Sequence, residues 1–274
     1  MSEMPEGPEL SEMPEVPEFS TLKIEVEGPV GQMILNRPEK LNALSGVLLG
    51  EVILASGWFT ERGDVKVVVV RGAGRAFSAG ADLTAFTGAG PDPTAEERLE
   101  AADLGRRMAD ALTGMRPVTI AAVHGHCVGG GLVLAASCDL RLAAADTRFS
   151  IPEIDLGIPL AWGGIPRLVR EIGPAATREL VLTCREFGAD EAKELGFLNR
   201  VVDPDELPQA AKELALKLAG QPSYSLELTK RHVNQVIEES GSTAGSDTDA
   251  ESLLGALDDP ESVKKMASYL SGQG

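Results

Sequence analysis

Three consecutive glycines, Gly129, Gly130 and Gly131, precede an apolar segment that carries no acid or base for several residues. A glycine cluster at the start of a helix usually exposes backbone N–H groups, which an anionic atom can approach closely. A second loop of small residues, RGAGRAFSAGADL at 71–83, follows an apolar strand-like run in the same way. If the two loops converge, their N–H groups would form an oxyanion hole, which stabilises a carbonyl oxygen that gains negative charge. The alternative is that the small residues only permit close packing of strands on helices.

Other chemistries are less well supported by the residues around these loops. Phe77 stands where a dinucleotide-binding fingerprint needs its third glycine. His124 and His126 would share one strand face if the strand extends that far, but no carboxylate or cysteine completes a metal site. Cys127 has no positioned base and is expected to be a buried structural thiol. We therefore expect neither a metal nor a nucleotide cofactor.

The composition is that of a globular protein with a strong negative charge. The chain of 274 residues has a net charge of −17, which argues against binding to nucleic acid or to an anionic membrane. No apolar run approaches the length of a membrane span, and the first residues lack the basic and apolar regions of a signal peptide. The three cysteines show no ligand-like spacing, and their odd number argues against a disulfide framework. We expect a reducing, cytoplasmic location.

The first residues form an acidic direct repeat, in which SEMPEGPEL at 2–10 returns as SEMPEVPEF at 11–19. Residues 1–19 contain six glutamates and no basic residue. Repeated prolines and like charges support neither a helix nor a core. Residues 1–20 are therefore predicted to be a disordered acidic tail.

The order of the segments behind this tail predicts an α/β fold. LKIEVEG and VGQMILN alternate and predict a hairpin through Gly28-Pro29, whereas VKVVVVRG and RPVTIAAVHG are typical of buried strands. A loop and a helical pattern follow each buried strand, and Thr94 with Glu97 predicts a capping box at the start of one helix. From about Leu207 onward the pattern is helical apart from a polar insert, GSTAGSDTDA. We place a core at 21–205 and a helical C-terminal region at 206–274.

Four stretches together resemble the enoyl-CoA hydratase/isomerase, or crotonase, family: LNRPEKLNALS at 35–45, GRAFSAGADL at 74–83, the long stretch at 123–168, and AKELGFLNRVV at 192–202. The resemblance implies a spiral core of ββα repeats, with C-terminal helices that pack as a homotrimer or as a hexamer of paired trimers. It also implies an acyl-CoA thioester substrate, handled through a thioester enolate. No cofactor is implied beyond the coenzyme A of the substrate itself.

The resemblance assigns roles to individual positions. The oxyanion donors would be the backbone N–H groups of Ala79 and Gly130, and the family's downstream glutamate matches Glu153 in FSIPEIDLG. The acyl-CoA would bend over a substrate-binding segment that consists of Ala79, Gly80, Ala81 and Asp82.

Further positions near the substrate have two possible roles. Asp82 is expected to be a turn or helix-cap residue rather than a catalytic acid. Trp162 either shapes the acyl pocket or packs in the core. Arg37 and Lys40 lie where relatives approach coenzyme A, so each could contact a phosphate or be solvated.

One position departs from the family's hydratases, which carry a further glutamate three residues after the middle glycine. Val133 occupies that position, one helical turn beyond Gly130, where it would face the substrate but cannot transfer a proton. A single glutamate suffices to move a double bond between positions 3 and 2 of an acyl-CoA. We therefore expect a 3-enoyl/2-enoyl-CoA isomerase that uses Glu153. The alternatives are a 2-enoyl-CoA hydratase and a noncatalytic acyl-CoA-binding protein.

Overall fold

The computed structural model describes residues 16–86, 94–241 and 243–272, and the strands within them form two sheets. The strands are Leu22–Glu27 (β1), Val30–Leu35 (β2), Val67–Gly72 (β3), Val118–Val123 (β4), His126–Val128 (β5), Leu140–Ala144 (β6), Arg148–Ser150 (β7), Phe187–Gly188 (β8) and Arg200–Val202 (β9). The larger sheet has the order β1-β2-β3-β4-β6-β9 and is parallel except for the antiparallel β1–β2 hairpin. The smaller sheet has the order β5-β7-β8. The predicted hairpin and both predicted buried strands, β3 and β4, are confirmed.

Helices alternate with these strands and complete a spiral. They are Gly46–Glu61 (α1), Ala95–Thr113 (α2), Gly130–Ala136 (α3), Gly164–Thr183 (α4), Ala189–Glu194 (α5), Leu207–Ala219 (α6), Ser223–Gly241 (α7), Asp249–Asp258 (α8) and Pro260–Leu270 (α9). In the units β4-β5-α3 and β6-β7-α4, the first strand joins the larger sheet and the second joins the smaller one. Ser78 extends the smaller sheet through a parallel bridge to Cys127. Because each of these two units adds one strand to each sheet, the loops of these successive units lie side by side.

The apolar run in β3 explains why the larger sheet is covered on both faces. Side chains alternate along a strand, so a continuous run of valines places apolar groups on each side. Val68 and Val70 belong to the main core, whereas Val67 and Val69 pack with the apolar residues of α6. The start of α2 carries the predicted capping box, in which the Glu97 carboxylate accepts from Thr94 N at 2.7 Å.

The ordered body begins earlier than the sequence predicts. The acidic repeat lies outside the described residues up to residue 15, but Phe19 packs against the main core. The Glu51 carboxylate accepts hydrogen bonds from the backbone N–H and the hydroxyl of both Ser20 and Thr21, at 2.6–2.8 Å. Burial raises the pKa of Glu51, but these hydrogen bonds outweigh it and leave the pKa lowered. The predicted end of the tail at residue 20 is thus corrected to a position at or before Phe19.

The C-terminal region is helical as predicted, and its polar insert is part of the structure. The insert forms a short 3-10 helix at Ala244–Thr248 and then begins α8, which the sequence pattern did not reveal. Ser246 is buried, and the Asp249 carboxylate accepts a hydrogen bond from Gly163 N at 2.7 Å. In the part of the chain that the structure describes, no helix is long and apolar enough to cross a bilayer.

Candidate active site

Glu153 lies in the turn that follows β7, and its carboxyl group is buried. Its Oε1 atom lies against the α-carbon of Gly129, where any β-carbon would overlap it, and Gly129 has a left-handed φ of 48°. Oε2 has no hydrogen-bond partner among the described residues. Burial in these surroundings raises the pKa of Glu153 to about 7. A carboxyl group with this pKa is present in both protonation states at neutral pH, so it can accept and return a proton.

Two residues that line the same cavity as Glu153 have backbone amides without a described acceptor. Gly130 is the first residue of α3, so its N–H has no partner within the helix, and no described residue accepts from it. Ala81 forms a parallel bridge with Leu44, which exchanges hydrogen bonds of 2.7 and 3.1 Å with the residues on either side of Ala81. In such a bridge the central residue turns its own N–H away from the partner. The Ala81 amide likewise has no acceptor in the described chain, and Ala81, Gly130 and Glu153 line one cavity.

The backbone N–H of Ala79, which the resemblance predicts as an oxyanion donor, already has an acceptor within the protein. It donates to Leu41 O at 2.9 Å and is not free to bind a substrate oxygen. Gly80 has a left-handed φ of 86° and redirects the chain between Ala79 and Ala81. A β-carbon on Gly80 would lie 2.8 Å from Val128 O, so the loop needs glycine where it crosses β5. The assignment of Ala79 as a donor is therefore wrong for this structure, and Ala81 is the candidate instead.

Asp82 is a turn residue, as the sequence suggests. Its Oδ1 atom accepts from Thr84 N at 3.1 Å and from Thr84 Oγ1 at 2.7 Å, at the start of a short 3-10 helix. Its Oδ2 atom accepts from Arg37 Nη1 at 2.8 Å. Burial raises the pKa of Asp82, but the bonds to Thr84 and Arg37 leave it lowered. Arg37 is therefore already paired within the protein, whereas Lys40 is exposed.

The walls of the cavity are otherwise apolar. Besides Ala81, Gly130 and Glu153, the lining residues are Val133, Ile158, Pro159, Leu160, Ala161, Trp162 and Leu253. Val133 is fully buried, and Trp162 both lines the cavity and packs against the core, so the two roles considered for it coexist. Among these described lining residues, Glu153 is the one ionisable side chain. Glu153 is therefore the one group in the described lining that can transfer protons.

The remaining reactive side chains do not assemble into a second centre. His124 Nε2 lies 3.0 Å from Gly74 O, and His126 begins a strand of the other sheet, so the two imidazoles do not share a strand face. Within the described ranges, no group of His, Cys, Asp or Glu is arranged to hold a metal ion. Cys127 is buried, which raises the pKa of its thiol. Asp155 forms an ion pair with Lys265 at 3.3 Å.

Comparison with known proteins agrees with this architecture. A family model described as enoyl-CoA hydratase/isomerase matches residues 25–270. The chain belongs to the enoyl-CoA hydratase/isomerase family. It is 36% identical over 213 residues to the short-chain-enoyl-CoA hydratase of Clostridium acetobutylicum, covering 77% of this chain and 80% of that protein. It is 33% identical over 218 residues to the crotonyl-CoA hydratase of Syntrophomonas wolfei, covering 79% of this chain and 82% of that protein.

Solved structures give the same result for the fold. An enoyl-CoA hydratase/isomerase from Mycobacterium paratuberculosis superposes with a TM-score of 0.83 at 26% identity, over 92% of this chain and 99% of that one. The crotonase fold expected from the sequence motifs is thereby confirmed. The protein is an enzyme of this family, which sets aside the noncatalytic alternative. Sequence reasoning did not identify Ala81 as a donor, because the bridge between Ala81 and Leu44 joins distant segments and has no local pattern. It also missed Leu253, which α8 brings to the cavity.

Proposed function

We propose that the enzyme moves a double bond of an acyl-CoA between positions 3 and 2, with Glu153 as the only proton-transfer group. The observation that supports this proposal is the composition of the cavity. One buried carboxyl group lies beside two amides that have no acceptor among the described residues, and the other side chains around it are apolar. Val133 fills the position where the family's hydratases carry a second glutamate, so no second acid is at hand there.

The reaction proceeds in two proton transfers. The Glu153 carboxylate removes a proton from C2 of a 3-enoyl-CoA, and the electron pair of that C–H bond delocalises onto the thioester oxygen as a dienolate. The N–H groups of Ala81 and Gly130 donate to this oxygen as it becomes negative. The protonated Glu153 then delivers the same proton to C4, which leaves the double bond between C2 and C3. No atom is gained or lost.

The electrostatics of the site suit this sequence of steps. Each correctly placed oxyanion donor typically contributes about 10²–10³ in rate, because a fixed dipole in a dry site needs no reorganisation as charge develops. A base with a pKa of about 7 is ionised often enough to accept a proton and acidic enough to return it. Helix α3 has only seven residues, so the donors act mainly as local hydrogen bonds rather than through a long helix dipole.

Hydration of a 2-enoyl-CoA is the second candidate, because the curated relatives described above are named hydratases. Water addition needs one group to activate the water and a proton for the neighbouring carbon. With Val133 in place of a second acid, Glu153 would have to perform both tasks. Loss of one acid–base partner typically lowers the rate by about 10²–10⁴.

A side-by-side assay on one preparation tests the choice. We expect 3-enoyl-CoA isomerisation to have a higher kcat/KM than 2-enoyl-CoA hydration, with both lost in Glu153→Gln. Hydration as fast as isomerisation of every 3-enoyl-CoA tested would refute the isomerase proposal and favour the hydratase. The homotrimeric or hexameric assembly, the absence of a separate cofactor and the cytoplasmic location stay predictions from the sequence.

A further inference from the structure

The cavity beside Glu153 is too small for the substrate in the free protein. Its volume is about 30 Å³, roughly the space of one water molecule. Pockets that enclose a small-molecule ligand typically measure about 300–1,000 Å³. Some side chain must therefore leave this space before an acyl thioester can reach both Glu153 and the amide of Gly130.

Trp162 is the side chain that fills the space next to these groups. Its indole ring lies over Gly130, so closely that a β-carbon on Gly130 would overlap the ring. The ring also contacts Gly105, in the interior of α2, where a β-carbon would likewise overlap it. Glycine destabilises a helix interior relative to alanine, so its presence at 105 is explained by the room it leaves for the indole. Gly105 and Gly130 together form a slot for the ring.

The backbone that carries the ring is held firmly by polar contacts. Trp162 and Gly163 have left-handed φ values of 62° and 67°, a conformation that a bulky residue rarely adopts without support. Gly163 N donates to the Asp249 carboxylate at 2.7 Å, and Arg167 Nη1 donates to Gly163 O at 3.2 Å. Arg167 is itself paired with Asp110 at 2.8 Å. Because the backbone is fixed in this way, the ring can leave its slot only by rotation of its own side-chain torsions.

We propose that Trp162 determines acyl-chain binding by occupying the acyl subsite in the free enzyme, and that the acyl chain displaces the ring from the Gly105–Gly130 slot. The inference takes one assumption from the proposed function, namely that an acyl-CoA binds beside Glu153. It concerns binding and is independent of which reaction follows. Displacement of the ring lowers the affinity for every acyl-CoA by the same factor, whereas a fixed wall would discriminate only against long chains.

The chain offers a direct optical test, because it contains two tryptophans. The other, Trp58, lies in the main core on α1, so Trp58→Phe leaves Trp162 as a single fluorescent reporter. Saturated butyryl-CoA, which can be neither hydrated nor isomerised, is titrated into this variant. We expect the Trp162 emission to shift to longer wavelength in step with the binding isotherm measured by calorimetry, with no shift for coenzyme A alone. Binding with unchanged emission overturns the inference; absence of any binding refutes the proposed function as well.

Two substitutions test the slot itself. Gly105→Ala in the reporter variant should shift the emission without ligand, because the added methyl group unseats the ring. Gly50→Ala in the interior of α1, where an added β-carbon meets no heavy atom within 4 Å, is the matched control and should leave the emission unchanged. Equal emission in both variants contradicts the inference.

Trp162→Ala separates a displaced ring from a fixed wall. We expect the Kd values of butyryl-CoA and octanoyl-CoA to fall by a similar factor, roughly 2- to 12-fold for the loss of an aromatic packing interaction. A gain confined to octanoyl-CoA would mean that the ring stays in place as a wall, and the inference would be wrong. Calorimetry on folded variants gives both values.

Discussion

Glu153→Gln should lower turnover strongly and stabilise the protein at neutral and alkaline pH. Burial raises the pKa of this carboxyl from an ordinary 4.5 to about 7. With each pKa unit worth about 1.4 kcal/mol, ionised Glu153 lowers the free energy of unfolding by about 3 kcal/mol. Because the pKa of Glu153 is raised in the folded state, its contribution to the free energy of unfolding is fully present below pH 4.5 and is lost as the pH rises through about 7.

The amide of glutamine carries no charge, so the variant avoids this loss. It still buries polar atoms without partners, which offsets part of the gain, and we expect a net stabilisation of about 1–3 kcal/mol at pH 8 and none at pH 4. Turnover should fall by about 10²–10⁴, because the amide cannot accept a proton. The combination of higher stability and lost activity is what a buried catalytic carboxylate produces.

Urea denaturation at pH 4, 6 and 8 measures the stability of both proteins, and kcat/KM is measured on the same preparations. Wild-type kcat/KM should rise through a single ionisation near pH 7, since the base must be ionised. Asp155→Asn is the control, because this carboxylate is half exposed and paired with Lys265, and it should change neither quantity appreciably. Equal stability of wild type and Glu153→Gln at pH 8, or retained turnover in the variant, would refute the reasoning.

Three further predictions follow from the same contacts. Gly129→Ala should abolish turnover, because its methyl group displaces the Glu153 carboxyl on which the proposed mechanism depends. Gly28→Ala, which has a similar left-handed φ and an open position, should lose only about 1 kcal/mol of stability; equal activity in the two variants would contradict this. Val133→Glu should raise 2-enoyl-CoA hydration at least about tenfold in folded protein, and burial should raise the pKa of the introduced glutamate. An equal gain in Val133→Gln would disprove an acid–base role for that glutamate. Deletion of residues 1–15 should leave Tm unchanged, whereas deletion of 1–20 should lower stability by about 1–3 kcal/mol through lost core packing and hydrogen bonds; identical melting curves would be the opposing result.

Features that depend on short stretches of chain could be predicted from the sequence. The valine run of β3 requires burial on both faces wherever it lies, and the Thr94–Glu97 capping box is complete within four residues. Glu153 and Gly130 could be named for the same reason, because each stands in a distinctive local motif. The direct repeat at 1–19 predicted a tail, but no local pattern marks Glu51 as the partner of Ser20, so its boundary was placed too late.

The direction of single amides and the environment of single side chains are decided by contacts between distant segments. Whether Ala79 or Ala81 opens onto the cavity depends on the φ of Gly80 and on bonds to the segment around Leu41 and Leu44. The sequence alone therefore could not choose between the two amides.

The surroundings of Glu153 and Trp162 could not be predicted from the sequence either, because they too are formed by distant segments. The pKa of Glu153 depends on how completely apolar residues from several elements exclude water, and composition does not reveal this. Trp162 has its position because α2 contributes Gly105 and the polar insert contributes Asp249. The fold, the family and Glu153 as the candidate proton-transfer group could be named from the sequence, because the residues that indicate them stand together in distinctive motifs. The Ala81 amide without a described acceptor, the raised pKa of Glu153 and the position of the Trp162 ring against Gly130 required the folded structure, because each depends on groups that folding brings together.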